Sequence, residues 1–169
     1  NANWYVTGGD LTVNATTFGI NPNPGTFLKA GEGLLTVNGN VNVGGGTRRM
    51  LIGDDSAGAD MVVNGVFAGG GRFEKRGLGS LQLSPSSVNG NGLSWNLIRG
   101  TLVLEAHNQA AQDAVLGTGV GASLDFNGAS VEVNGYDANI GFDSVGFTAN
   151  WNGRGASPRI HGDSALTVT

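Results

Sequence analysis

Short runs of the form apolar-x-apolar recur along this chain. Seven such runs lie at residues 11–13, 35–37, 61–63, 81–83, 102–104, 124–126 and 166–168. The runs that begin at 35, 61 and 124 continue directly into Asn-Gly, and the five intervals between residues 11 and 124 are 20 to 26 residues long. Because each run is too short to bury a core alone, the repeat predicts equivalent strands stacked on one another.

Alternation places the first and third residue of each run on the same face of its strand. Stacking then joins these faces into one apolar column, which we expect to stabilise the fold. The column is predicted to consist of Leu35, Val37, Met61, Val63, Leu81, Leu83, Leu102, Leu104, Leu124 and Phe126.

Asn-Gly between two strands has a second interpretation, a tight β-hairpin. A hairpin at Asn38-Gly39 would pair Val37 with Asn40, which puts a polar residue on the apolar face. At Asn127-Gly128 the same test pairs Phe126 with Ala129 and gives an acceptable hairpin. The pattern therefore favours a coiled parallel array over a meander or sandwich, with a local hairpin near Asn127 left open.

Composition agrees with an all-β fold and excludes several classes of protein. The 169 residues include 31 glycines and no cysteine, and 13% are charged, with a net charge of −4. The acidic balance argues against a nucleic-acid partner, and the absence of cysteine excludes disulfides and thiolate zinc sites. One segment, 106–116, is rich in Ala and Gln and ends at Gly117, which predicts a turn or two of helix. Both ends interrupt the pattern, so we expect the chain to be part of a longer protein.

The stretch from Gly69 to Gly128 resembles a known family, the autotransporter-associated β-strand repeat. Residues 69–84 follow its pattern G-x-G-x-L-x-K-x-G-x-G-x-L-x-L-S, with Phe73 in place of the usual Leu, and later segments follow G-T-L-x-L, A-L-G-x-G and G-A-x-L-D-L-N-G. The residues that match the motif and are expected to build the repeat are Lys75, Gly77, Gly79, Leu81, Leu83, Gly100, Leu102, Leu116 and Gly117.

The resemblance implies a right-handed parallel β-helix exported by type V secretion. We expect residues 1–169 to form one β-helical passenger fragment of about seven coils, with the repeat at 69–128. The resemblance further implies a cell-surface or secreted location in a Gram-negative bacterium, and a C-terminal outer-membrane barrel in the same precursor. Host surfaces, glycans or sister cells are the partners that it suggests, with self-association possible.

Candidate chemistry is sparse and has structural explanations. Asp54, Asp55 and Asp60 could bind Ca²⁺ or cleave glycans, but their glycine-rich context is typical of a solvated turn. His161-Gly162-Asp163-Ser164 resembles a compressed triad but is better explained as a loop, and His107 is the other histidine.

The charged cluster at Arg72, Glu74, Lys75 and Arg76 could contact anionic glycans or lipopolysaccharide. The structural interpretation places Phe73 inside, with Lys75 and the arginines on the solvated side. The aromatic residues Trp4, Tyr5, Trp95, Tyr136 and Trp151 are scattered without a sugar-binding pattern.

The sequence therefore predicts a structural surface protein rather than an enzyme, with no catalytic, cofactor-binding or metal-binding residue assigned. It extends a β-helical stalk, supports export-coupled folding and displays loops for adhesion or aggregation. The alternatives are an oligomerising, vacuolating-type toxin passenger and a glycan-active enzyme built on a β-helix.

Overall fold

The alternating runs form short strands in the computed structural model, which describes residues 4–7, 9–15, 17–19, 25–30, 32–54, 58–89, 92–117, 123–140, 144–147, 159–162 and 165–168. Within these ranges there is one helix, α1 (Gln109–Asp113). The strands, in chain order, are β1 (Trp4–Thr7), β2 (Leu11–Val13), β3 (Thr17–Gly19), β4 (Gly25–Ala30), β5 (Leu35–Val37), β6 (Asn40–Asn42), β7 (Thr47–Ile52), β8 (Met61–Val63), β9 (Phe67–Ala68), β10 (Arg72–Arg76), β11 (Ser80–Leu83), β12 (Ser94–Leu97), β13 (Thr101–Leu104), β14 (Ser123–Phe126), β15 (Ser130–Val133), β16 (Ala138–Ile140), β17 (Ser144–Phe147), β18 (Arg159–Gly162) and β19 (Leu166–Val168).

Two seven-stranded parallel sheets form the body of the molecule. Sheet A has the order β1-β4-β7-β10-β12-β14-β17, and sheet B has the order β18-β15-β13-β11-β8-β5-β2. Strands pair with the equivalent strand one coil away and in the same direction. The fold is thus a parallel β-helix, and the seven strands of each sheet match the number of coils that the repeat predicts.

A third side of the coil is built from different elements at its two ends. The first coils supply the three-stranded sheet β3-β6-β9, and the last supply the two-stranded sheet β16-β19. Between them the chain runs through Asn89, whose side chain donates to the Phe67 carbonyl, and through α1, which lies against β16.

The ten predicted column residues are all buried, with at most 1% of their surface exposed. Their grouping into a single column is wrong, however. Leu102 and Leu104 stack on Val131 and Val133 of sheet B, whereas Leu124 and Phe126 stack on Trp95 and Leu97 of sheet A. The run at 166–168 is likewise not in sheet B but pairs with β16 on the third side. Strands of different sheets carry the same alternation, so the repeat alone could not separate them.

The Asn-Gly steps at 38–39, 64–65 and 127–128 are corners of the coil. β5 and β6 belong to different sheets, as expected from the poor hairpin register at Asn38-Gly39. The hairpin left open at Asn127-Gly128 does not form, because β14 pairs with β12 and β17 while β15 pairs with β13 and β18. Pairing of β14 and β15 with equivalent strands of adjacent coils is therefore preferred to the local pairing of Phe126 with Ala129.

Asparagine is used at these corners because its amide bonds to the coil beneath. The Asn64 side chain donates to Asn38 Oδ1 at 2.7 Å, and the Asn38 side chain donates to Asn14 Oδ1. Asn127 donates in the same way to the side chain of Asn96 in sheet A. These bonds form ladders along the stack, each linking neighbouring coils.

The predicted helix is present but short. α1 spans five residues inside the expected segment, and Asn108 caps it by accepting a hydrogen bond from Ala111 N at 2.9 Å. Gly117 adopts the left-handed conformation, with φ of 102°, shortly beyond the helix end. Gln112 is completely buried, and its amide bonds to the Leu104 and Tyr136 carbonyls, which ties α1 to two successive coils.

Candidate functional site

Lys75 is fully buried, which contradicts its predicted place on the solvated side of β10. Its register partners are Met50 in β7 and Leu97 in β12, so it occupies an inward position of sheet A. The alternation that turns Phe73 inward also turns Lys75 inward, two residues further along the strand. The prediction was wrong because it assumed that a charged side chain must be solvated. An amine can be buried where it donates hydrogen bonds to nearby acceptors.

The Lys75 amine donates hydrogen bonds to backbone carbonyls at the corner between sheets A and B. Lys75 Nζ lies 2.6 Å from Gly79 O, 2.9 Å from Arg99 O and 3.5 Å from Gly77 O. Arg99 lies on the next coil, so the side chain joins two coils. Burial lowers the pKa of Lys75 to about 8, and the negative charge of Asp60 opposes this shift. At neutral pH the amine is therefore still mostly protonated.

Asp60 extends the same network to the preceding coil. It is 1% exposed, and its Oδ2 accepts hydrogen bonds from Ser80 N at 2.8 Å and from Ser80 Oγ at 3.1 Å. In return, Ser80 Oγ accepts a hydrogen bond from Asp60 N at 2.9 Å. Asp60, Lys75, Ser80 and the Arg99 carbonyl thus connect three successive coils. We call this group the lysine corner.

Two motif glycines are required by the close packing of the lysine corner. Gly77 has φ of +81°, a conformation that other residues rarely adopt. A Cβ atom on Gly79 would collide with the Gly53 carbonyl oxygen of the preceding coil and would lie 2.8 Å from Asp60 Oδ2. The K-x-G-x-G spacing therefore corresponds to one physical unit, a buried amine and the carbonyl-rich turn around it.

The remaining motif residues lie in the neighbouring coils. Leu81, Leu83 and Leu102 are buried in sheet B. Gly100, with φ of +73°, continues the corner, where a Cβ would approach Gly77 O within 2.7 Å. Leu116 is 2% exposed, and its carbonyl accepts a hydrogen bond from Trp95 Nε1 at 2.8 Å, just before Gly117.

An interior aromatic cluster was missed in the sequence. Trp95 is buried, with its ring centroid 5.0 Å from that of Phe73 and 5.2 Å from that of Phe67. The cluster joins sheet A to the third side of the coil. The alternation in Ser94-Trp95-Asn96-Leu97 could have identified it. Three further polar side chains are buried, Lys29, Arg48 and Asn89, and no sequence pattern comparable to that alternation predicted their burial.

Of the acidic group, Asp54 and Asp60 lie beside a polar groove on sheet B, while Asp55 lies outside the described residues. The groove has a volume of about 440 Å³ and is also lined by Gln82, Glu105 and Glu132. Within the described ranges no group of three or more His, Cys, Asp or Glu residues is arranged to hold a metal ion. The Asp60 carboxylate accepts hydrogen bonds from Ser80 in the lysine corner.

The histidine-containing segment does not assemble a site that can be described. Asp163 and Ser164 lie outside the described residues, as does the His161 side chain, while the His161 backbone is part of β18. His107 is exposed on the loop before α1. Among the aromatic residues, Tyr136 is 40% exposed, Trp4 and Tyr5 are in β1, and Trp151 is outside the described residues.

The other charged residues of β10 do face outward and form a polar ladder across sheet A. Arg49 and Glu74 are register partners, and so are Glu74 and Asn96, then Asn96 and Asp125. Glu74 Oε2 accepts hydrogen bonds from Arg49 Nε at 3.1 Å and from Arg76 Nη2 at 2.8 Å. Arg72 reaches over one coil to Asp125, with 2.9 Å between Nη2 and Oδ2.

Comparison with models of protein families, with curated proteins and with solved structures found no match to this chain. In the part of the chain that the structure describes, no helix has the length and apolar character needed to span a membrane.

Proposed function

We propose that this chain is a structural segment of a secreted or surface-exposed autotransporter passenger. In this role it extends a β-helical stalk and supports folding during export. The supporting observation is the lysine corner, in which the motif residues Lys75, Gly77 and Gly79 act together to fasten one coil to the next. A repeat whose function is to propagate a stack needs this kind of inter-coil bond.

The pattern of contacts also suits folding outside the cell. Each described strand of sheets A and B pairs only with the strands of adjacent coils, so no pairing has to wait for a distant part of the chain. A stack of this kind can nucleate at one place and grow coil by coil. Export through a narrow pore delivers the chain in the same sequential manner.

Host surfaces, glycans or sister cells remain the proposed partners of the displayed loops, and an outer-membrane barrel in the same precursor is the proposed exporter. The full precursor sequence tests the exporter directly. We expect a C-terminal series of alternating segments of about ten residues, as in outer-membrane barrels. A precursor without such a series would overturn the autotransporter assignment but not the β-helix.

A display experiment tests the role of the fold in export. The chain would be expressed between a secretion signal and an autotransporter barrel, and its surface exposure measured by protease accessibility of intact cells. We expect efficient display of the wild type and a several-fold loss for Gly79→Ala, which obstructs the lysine corner. Gly70→Ala is the matched control, because a Cβ there meets nothing within 4 Å. Equal display of the two variants would count against export-coupled folding.

A further inference from the structure

The outer face of sheet A combines two arginines with one carboxylate. Arg49 and Arg76 both donate to the same oxygen atom, Oε2 of Glu74, so their guanidinium groups lie side by side. The neighbouring Arg72 is paired with its own carboxylate, Asp125. One positive charge at Glu74 is therefore not balanced within this cluster.

These two guanidinium groups are accessible to solvent. The side chains of Arg49 and Arg76 are 39% and 40% exposed, whereas the Glu74 side chain is only 11% exposed. Glu74 thus holds the arginines from beneath. Arg49 uses only Nε in this ion pair, so its terminal N–H groups are available to an approaching group. Paired guanidinium forks match the oxygen geometry of sulfate and phosphate groups.

The wider electrostatics of sheet A favour the same class of ligand. Six of the nine Lys and Arg residues lie on its strands, against two carboxylates, Glu74 and Asp125. The strands of sheet A thus carry four excess positive charges in a chain whose net charge is −4. Lys29, Arg48 and Lys75 are buried, so the charges on the outer face of these strands are Arg49, Arg72 and Arg76 against Glu74 and Asp125, a net charge of +1.

We propose that the outer face of sheet A binds a linear polysaccharide bearing sulfate or phosphate groups, with Arg49 and Arg76 holding one of those groups. A polysaccharide fits better than a membrane surface, because the sheet A strands whose side chains the structure describes throughout, β7, β10, β12 and β14, carry no exposed large apolar residue. The ladder of charged and polar side chains runs across successive coils and offers an extended track, of which a single charged headgroup would use only part. This inference does not depend on the autotransporter assignment.

Calorimetric titration with a heparin-derived hexasaccharide tests the proposal, with the desulfated oligosaccharide as the ligand control. We expect Arg49→Gln and Arg76→Gln each to weaken binding about tenfold, since each removes a charge-assisted contact. Binding should also weaken as salt is added. Arg76→Lys keeps the charge but removes the fork, so its affinity should fall between those of wild type and Arg76→Gln.

Arg159→Gln is the matched protein control, because it makes the same change of charge on β18 of sheet B. It should leave the affinity within about twofold of wild type, while circular dichroism verifies that all variants are folded. The proposal is overturned if Arg159→Gln weakens binding as much as the other two substitutions, or if the desulfated oligosaccharide binds equally well. It is also overturned if the protein binds phosphatidylglycerol vesicles but not the hexasaccharide.

Discussion

Lys75 is the residue whose environment differs most from what its chemistry suggests. A lysine side chain is usually solvated, but here it lies between Met50 and Leu97 and donates to carbonyls at a corner. Burying a charge is unfavourable unless it is hydrogen-bonded, and the turn around Gly77 and Gly79 supplies the acceptors. The position is therefore specific for an amine on a long, flexible chain.

The lowered pKa of Lys75 leads to a prediction about pH. The folded-state value is about 8 and the ordinary value is 10.5, so between these pH values the unfolded chain binds more protons at this site. The free energy of unfolding should therefore rise with pH across that window, by an amount on the order of a few kcal/mol from this group. Below about pH 7 both states are almost fully protonated at this site, and the contribution becomes independent of pH.

Urea unfolding of wild type and Lys75→Met from pH 6 to 10.5 measures this effect. The difference in unfolding free energy between the two proteins should be constant below pH 7 and should change in favour of wild type between pH 8 and 10.5. Arg76→Met is the control, because Arg76 is outward-facing and arginine does not titrate in this range. Parallel pH profiles for wild type and Lys75→Met would contradict the buried, titrating amine.

At the scale of the element, the corners decide how strands become coils. Asparagine ladders fasten the corners after β5 and β8, while the lysine corner fastens the turn between β10 and β11. Both devices bond a side chain to the adjacent coil, so they stabilise stacking rather than a local turn. This agrees with the strand pairing, in which the Asn-Gly steps at 38–39, 64–65 and 127–128 join strands of different sheets.

Close packing of the corners predicts a strong effect of one added methyl group. Gly79→Ala should lower the free energy of unfolding by more than about 2 kcal/mol, because the Cβ would collide with the Gly53 carbonyl oxygen and crowd Asp60. Gly70→Ala should change it by less than about 0.5 kcal/mol. Chemical unfolding of the two variants checks the difference, and a mild Gly79→Ala would mean that the coils can separate at this corner.

At the scale of the whole molecule, stability is shared between neighbouring coils. Phe126 in β14 is register partner to Leu97 in β12 and to Phe147 in β17, one coil away on either side. A defect at this position should therefore weaken nearby coils more than distant ones.

Phe126→Asp tests this behaviour by burying an unpaired charge. We expect a lower melting temperature and a loss of amide hydrogen-exchange protection in β12, β14 and β17, with smaller losses in β5 and β8. Leu78→Asp makes a similar substitution at a position that is 64% exposed and should melt close to wild type. An unchanged melting temperature for Phe126→Asp would show that Phe126 does not support the core.

The sequence by itself determined the strands at the seven apolar-x-apolar runs, the inward face of those strands and the stacking of coils. These follow from the two-residue period of the backbone and from the need of short strands to bury their apolar face. The helix after Glu105 and the corner at Asn38-Gly39 could also be predicted from the sequence, because both depend on residues that are close together in the chain. Alternation also places Lys75 on the same face as Phe73, but the charge of Lys75 led to the wrong prediction that it is solvated.

Only the tertiary structure decided which sheet each strand joins and how the buried charges are satisfied. Leu124 and Phe126 belong to sheet A because the coil that contains α1 is longer than its predecessors, a property of the whole turn and not of the run itself. The acceptors of Lys75 and the paired arginines at Glu74 come from neighbouring coils. Contacts between residues far apart in the chain depend on register, which local sequence patterns do not specify.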